Sequence, residues 1–247
     1  MIRNLFAAAL IAALSAGLLT AVIQHFRVTP LILHAETFEG EGGGHSHGEE
    51  AVAQDHTHDA IATLEEEPEE WAPADGFERT AYTTLATVLA AAGFALVIGA
   101  VSMFANIPIT FANGYLWGIA GFLAFSLAPA YGLAPELPGM PAAEVFPRQL
   151  WWVGTALATG GAILLLAKTR AGWAFAVAAA LVIAPHIIGA PIGPDEPSAV
   201  PAHLATEFAA ITLGTSAVFW LVLGTLFGKL NDVFARNRVT ATAGVPA

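Results

Sequence analysis

Histidines and carboxylates are concentrated in one stretch of the sequence, residues 34–78. This stretch holds five of the eight histidines and fourteen of the twenty acidic residues, and it contains no Lys or Arg. Two His-x-His pairs stand inside it, His45 with His47 and His56 with His58. Neutral imidazoles and carboxylates are exchangeable ligands for divalent transition metals. The pattern predicts metal capture, and the alternative is a solvated acidic linker in which the histidines are incidental.

The same stretch can bury little apolar surface. Residues 40–44 are glycine except for Glu41, and residues 65–70 are acidic except for Pro68. Low hydrophobicity combined with charge of one sign is typical of segments that do not fold alone. We therefore predict a disordered acidic, histidine-rich loop over residues 34–79 when no metal is bound.

The composition outside this loop is that of a membrane protein. The chain has 247 residues, of which 56% are hydrophobic and 12% charged, and its mean hydropathy is +0.64. The net charge of −11 arises mostly from the loop, and no basic patch is present to bind nucleic acid. The absence of cysteine excludes disulfides, thiolate metal sites and cysteine nucleophiles. Any metal must be bound through nitrogen and oxygen.

Six apolar runs are long enough, or nearly so, to cross the bilayer as helices. They are residues 5–23, 82–104, 112–128, 151–167, 172–188 and 208–227. We therefore predict an all-α integral membrane protein with about six transmembrane helices. Its parts are a first helix and exit (1–33), the loop (34–79), a five-helix bundle (80–228) and a short tail (229–247). The alternative for the first run is a cleaved signal peptide, because Arg3 precedes it and small residues stand at 15–17.

The placement of Lys and Arg predicts the orientation of the chain. If the N-terminus is cytoplasmic, the cytoplasmic segments are residues 1–4, 105–111, 168–171 and 228–247. They contain six of the nine basic residues and, of the twenty acidic residues, only Asp232. This bias follows the positive-inside rule. It predicts a multi-pass protein of the bacterial cytoplasmic (inner) membrane, with both termini cytoplasmic and residues 34–79 extracytoplasmic.

A proline motif recurs where helices reach the outer side. Residues 128–135 and 184–191 both read A-P-x4-A-P, and Thr29-Pro30 begins a weaker copy. Proline removes a backbone donor and clashes with the preceding turn, and broken helices often hold ion sites in transporters. We therefore predict three hairpins with Pro-broken outer ends. The alternative is that the prolines simply end helices at the interface.

The polar residues near these corners could form a metal site of nitrogen and oxygen ligands. They are His34, Glu36, Glu136, His186 and His203. Such a set suits Co²⁺, Ni²⁺ or Zn²⁺. His186 stands out because ionisable residues at the end of an otherwise uncharged membrane helix are costly, although a plain interfacial histidine would look the same. Glu136 is either a ligand or the partner of Arg148.

Other residues have predicted packing or lining roles. Gly93, Gly160 and Gly161 predict close helix approach. Interfacial positions are predicted for four tryptophans, Trp151, Trp152, Trp173 and Trp220. Polar residues deeper in the helices are few, namely Ser15, Thr20, Gln24, Thr87, Ser102, Ser126, Thr155, Thr159, Thr212, Thr215 and Ser216. A permeation path should be lined by such polar residues, so their small number argues against one.

Three strings resemble a known family. Residues 132–139 read GLAPELPG, residues 148–152 read RQLWW, and Pro185-His186 follows. Over essentially its whole length the chain resembles the CbtA family of predicted cobalt transporters. The resemblance implies cobalt supply for cobalamin synthesis and a partner, CbtB, which is a small single-helix subunit with a histidine-rich end. The family positions that it marks are Glu136, Arg148, Gln149 and His186.

These features predict a membrane transporter or channel subunit for a divalent transition metal, with cobalt first and nickel second. The loop would capture metal, and no cofactor would be tightly bound; Co²⁺ would be transported or loosely bound, with Ni²⁺ or Zn²⁺ as alternatives. The alternative function is a non-transporting membrane subunit that buffers or delivers metal. We expect no enzyme activity, because the Walker A and HExxH motifs are absent. Besides the lipid bilayer and a CbtB-like subunit, a homo-oligomer is left open.

Overall fold

The computed structural model of the chain describes residues 2–42 and 73–243. Helix is the regular structure throughout these two ranges, which contain no strand, and the predicted all-α class is confirmed. In chain order the elements are α1 (Ile2–Ile23), a first π turn (Gln24–Val28), α2 (Thr29–Gly42), α3 (Phe77–Ala105), α4 (Gly114–Phe122), a second π turn (Leu123–Leu127), α5 (Ala128–Gly132), α6 (Val145–Lys168), α7 (Gly172–Ile188) and α8 (Ala202–Ala243).

The helices are long and apolar enough for a multi-pass membrane protein. Within the described residues, five continuous helical segments qualify as membrane spans by length and composition, and they are Arg3–Phe38, Phe77–Ala105, Gly114–Gly132, Val145–Lys168 and Ala202–Asn237. The remaining predicted span, residues 172–188, corresponds to α7, which has 17 residues and is apolar but shorter. All six predicted runs therefore coincide with helices, except that the third run begins two residues before α4.

Two helices extend further than the sequence predicted. The first π turn joins α1 to α2, so the helix continues to Gly42 and residues 34–42 are helical where a loop was predicted to begin. At the other end of the chain, α8 continues to Ala243 through most of the predicted tail. The four loop histidines, His45, His47, His56 and His58, lie outside the described residues. Their predicted metal capture stays a prediction.

The two π turns each stand just before a proline, at Thr29-Pro30 and Ala128-Pro129. In both turns the amide of the residue before the proline donates to the carbonyl five residues earlier, that of Gln24 or Leu123. The proline ring would clash with the carbonyl four residues back in an α-helix, and the wider turn avoids that clash. The helices therefore continue through these prolines, which differs from the predicted breaks. Pro185 behaves as predicted, because α7 ends within one turn of it.

The bundle is built around α8, which packs against both α1 and α4. α1 also packs against α3, and it contributes five fully buried alanines to the shared core, namely Ala8, Ala9, Ala12, Ala13 and Ala16. Small residues of this kind let membrane helices approach closely. Phe219, Trp220, Leu223 and Phe227 of α8 complete this core. α1 is thus part of the core.

The predicted hairpins are only partly present. α1 and α3 pack together as the first hairpin requires, but α7 packs against α6 and α5 while α8 packs elsewhere. α6 joins the rest of the bundle mainly through the second π turn and α5. The molecule therefore consists of a four-helix body (α1, α3, α4 and α8) with the pair α6–α7 attached to it.

Glycines bring α4 and α8 into backbone contact. A Cβ at Gly118 would lie 2.4 Å from the Trp220 carbonyl oxygen, and one at Gly224 would lie 2.3 Å from the Gly114 carbonyl oxygen. The glycines that the sequence suggested for close approach have another environment, because a Cβ at Gly93 or Gly161 would meet nothing within 4 Å. The sequence thus predicted close helix approach at glycines, but it did not identify which glycines make the contact.

Hydrogen bonds identify the two ends of the bundle. At one end, which we call the terminal end, the Asn4 side chain donates to the Phe234 carbonyl, and the Phe111 amide donates to Asp232. At the opposite end, the cavity end, Ser198 donates to the Gly139 carbonyl. Three of the four segments predicted to be cytoplasmic thus meet at one end, namely residues 1–4, 105–111 and 228–247. Their side of the membrane stays a prediction.

Candidate functional site

The polar residues marked by the sequence motifs meet in a cavity of about 650 Å³ at the cavity end. The second π turn, α5, the α5–α6 connection, the start of α6 and the middle of α8 enclose it. Its polar lining residues are Ser126, Glu136, Arg148, Gln149, Thr212 and Ser216. Phe125, Trp152 and prolines 129 and 135 form much of the apolar wall. This cavity is the strongest candidate for a functional site.

An ion pair stands at the rim of the cavity. Arg148 in the first turn of α6 donates through Nη2 to Glu136 Oε2 at 2.7 Å, and both side chains are about a quarter to a third exposed (30% and 26%). Glu136 is held by its neighbour Leu137, which is 3% exposed and packs in a second core with Val200 and Leu204 of the α8 region. Of the two predicted roles of Glu136, the structure contains the pairing with Arg148.

Hydroxyl groups form the floor of the cavity. The Trp220 indole N–H donates to Ser126 Oγ at 3.1 Å, and Ser126 Oγ lies 3.2 Å from Ser216 Oγ. Thr212 Oγ1, one turn earlier on α8, is buried without a hydrogen-bond partner among the described residues. Trp220 is 1% exposed, so its predicted interfacial position is wrong: its indole supports the cavity floor. An unpaired buried hydroxyl is costly unless a ligand or water satisfies it.

His186 lies beside the cavity in an aromatic setting. Its ring centroid is 5.1 Å from that of Tyr131 and 5.8 Å from that of Trp151, both edge-to-face, and its Nδ1 is buried without a partner. The Trp151 indole N–H donates to the Pro185 carbonyl at 3.1 Å. The two A-P-x4-A-P segments therefore pack on each other. His186 itself is not among the residues that line the cavity.

The remaining predicted ligands are dispersed. Glu36 of α2 forms an ion pair with Arg79 at the start of α3, and His34 lies 5.4 Å from the Phe38 ring, centroid to centroid. His203, in the first turn of α8, is exposed. The described residues contain no group of three or more His, Asp or Glu side chains placed to hold a metal ion. The described structure therefore does not gather His34, Glu36, Glu136, His186 and His203 into one cluster, and both glutamates pair with arginines. Their roles as metal ligands stay a prediction.

The cavity floor was not predicted as a site. Ser126, Thr212 and Ser216 were named only among the candidate polar residues of a permeation path, without being placed together. The useful signal was their combination with the GLAPELPG and RQLWW strings, since Glu136, Arg148, Gln149 and Trp152 all line the same space.

Comparison with protein-family models gives one match. The model described as "Probable cobalt transporter subunit (CbtA)" covers residues 2–232 of the chain. Comparisons with curated proteins and with solved structures gave no match.

Proposed function

The chain belongs to the CbtA family of probable cobalt transporter subunits, and from this membership we propose that it moves a divalent transition metal across the membrane. Cobalt is the proposed substrate, and nickel is the second choice. The acidic segment with His45, His47, His56 and His58 is proposed to capture the metal on the extracytoplasmic side. Both termini would then be cytoplasmic, in the inner membrane of a bacterium.

The observation that carries this proposal is the cavity between α5, α6 and α8. It combines a charged rim, Glu136 and Arg148, with a hydroxyl floor inside an otherwise apolar bundle. Polar groups within a membrane bundle are expensive and usually serve a pathway. Irregular helix at membrane depth, such as the second π turn, is tolerated where it lines a cavity. The charged rim is proposed as the entrance to the path.

The acidic segment would raise the local concentration of cations by its field. It leaves the described bundle at Gly42 and returns at residue 73, and the Glu36–Arg79 ion pair joins α2 to α3 near these two points. Metal captured by the segment would therefore be released close to the cavity end. No reaction chemistry is needed for this function, and we propose no enzyme activity.

The second candidate function is a subunit that buffers or delivers metal within a larger complex. It is favoured by an apolar groove of about 450 Å³ between α3, α4 and α6. Among the described residues that line it, Asn113 has the one non-aromatic polar side chain. Such a groove could receive the single apolar helix of a CbtB-like subunit, or a second copy of this chain.

Uptake of ⁵⁷Co²⁺ into proteoliposomes containing this chain alone tests the proposal. Saturable uptake supports transport, and competition by Ni²⁺ and Zn²⁺ ranks the metals. Glu136→Gln should lower uptake at low cobalt several-fold, whereas Glu144→Gln should not, because Glu144 is exposed outside the cavity lining. No uptake by protein that still binds cobalt would overturn transport by the chain alone and favour the delivery subunit.

A further inference from the structure

The cavity is larger than one hydrated metal ion requires, and its described lining residues include few metal ligands. A six-coordinate aqua ion occupies roughly 200 Å³ if each water takes about 30 Å³. The volume of about 650 Å³ is some three times larger. It lies in the range of small-molecule sites, about 300–1,000 Å³.

The charges of the lining residues, like the volume of the cavity, favour a ligand other than a bare metal ion. Glu136 and Arg148 are the ionisable residues of the lining, and their formal charges cancel. Among the described residues, this ion pair therefore gives a bare dication no net attraction at the rim. The described lining residues include no imidazole, and their one carboxylate is already paired. Removing the water shell of a transition-metal ion needs more ligands than these.

The cavity presents hydrogen-bond donors rather than a set of metal ligands. Within the described chain, Glu136 accepts from one Nη of Arg148, and a guanidinium has further N–H donors that suit the planar fork of a carboxylate. Gln149 adds an amide at the rim, and the unpartnered Thr212 hydroxyl lies at the floor. Trp152 and Phe125 give flat apolar walls between the two.

We infer that this cavity binds a small organic molecule bearing carboxylates, and that the metal reaches it as the chelate of that molecule. Arg148 holds a carboxylate, and the floor hydroxyls satisfy oxygen atoms at the far end of the ligand. The free chelator and its metal complex share this recognition chemistry. The inference rests on the proposed function for the identity of the metal, but not for the site itself.

Binding of citrate to the purified full-length chain in lipid nanodiscs, measured by isothermal titration calorimetry, tests the inference. Metal-free citrate and its Co²⁺ complex should both bind. Arg148→Gln should weaken citrate binding by about tenfold or more, because a hydrogen bond between charged groups is lost. Arg148→Lys should restore part of the affinity, and Arg170→Gln, an exposed change at the terminal end, should leave it unaltered.

Thr212→Val distinguishes ligand binding from a structural role. Removal of an unpartnered hydroxyl should not destabilise the empty protein, so a weaker citrate affinity in a stable variant assigns that hydroxyl to the ligand. Absent citrate binding, or equal citrate affinity of Arg148→Gln and the unmodified chain, would overturn the inference. Arg148-dependent binding without ⁵⁷Co²⁺ uptake, free or chelated, would support the site and contradict the proposed transport. Uptake of free Co²⁺ without citrate binding would support the proposed transport and overturn the inferred site.

Discussion

Substitution of the glycines at the contact between α4 and α8 should strongly destabilise the bundle. A Cβ at Gly118 would lie 2.4 Å from the Trp220 carbonyl oxygen, where ordinary contacts are 3.4–4 Å. The obstructing atom belongs to the backbone, so no rotamer change can relieve the clash. The two helices must therefore separate by about 1 Å along the crossing, which loosens the packing around Trp220 and Phe227 as well.

The expected cost can be bounded from known effects. Overpacking in cores costs about 1–3 kcal/mol where side chains can adjust, and a clash between backbones lies at or above the upper value. Gly118→Ala and Gly224→Ala should therefore each lower the free energy of unfolding by about 3 kcal/mol or more. Both changes force the same separation of the two helices. The double variant should therefore lower the free energy of unfolding by clearly less than the sum of the two single decreases.

Unfolding by SDS in mixed micelles, followed by circular dichroism, measures these differences. Gly214→Ala on α8 is the matched control, because a Cβ there would meet nothing within 4 Å. It should be neutral or stabilise the helix by about 0.5–1 kcal/mol, since glycine is the poorer helix former. If Gly118→Ala and Gly224→Ala were as stable as Gly214→Ala, the backbone contact between α4 and α8 would be refuted.

Three further changes test other contacts. Trp151→Phe removes the N–H that donates to the Pro185 carbonyl but keeps an aromatic ring. In the same SDS titration, the free energy of unfolding should fall by about 1 kcal/mol. Unchanged stability would show that this hydrogen bond does not hold α7. For the partly exposed Glu36–Arg79 pair, a double-mutant cycle with glutamine at both positions should give a coupling of about 1 kcal/mol or less, decreasing with salt; a large, salt-independent coupling would contradict the solvated character of the pair. Deletion of residues 43–72 should raise the cobalt concentration for half-maximal ⁵⁷Co²⁺ uptake and leave the maximal rate unchanged, whereas a lost maximal rate would place that segment in the path itself.

The helices could be predicted because span length and hydropathy depend on local sequence. All six apolar runs proved helical, and the all-α membrane class followed from them. The packing of α8 could not be predicted in this way. It depends on which glycine faces which neighbour, and the sequence gives Gly93 and Gly118 the same appearance although only Gly118 touches another backbone.

The candidate site was predicted in part. Glu136 and Arg148 were recognised as a pair that could form, and the structure brings them within hydrogen-bond distance. The described residues do not bring the predicted ligands into one cluster, and Glu36 and Glu136 each pair with an arginine that tertiary packing brings close. The link from Trp220 to Ser126 spans 94 residues and leaves no local sequence signal.

The second π turn also sets the rotation of α5 about the helix axis relative to α4. A helix turns by about 100° per residue, so one extra residue in the turn rotates α5 by that amount relative to an uninterrupted α4. Pro129 prevents the turn from relaxing to the α register, because its ring would then meet the Phe125 carbonyl. The direction in which the chain leaves α5 towards Glu136 is therefore set by the backbone. This part of the cavity rim is therefore positioned by the backbone of the π turn as well as by the ion pair between Glu136 and Arg148.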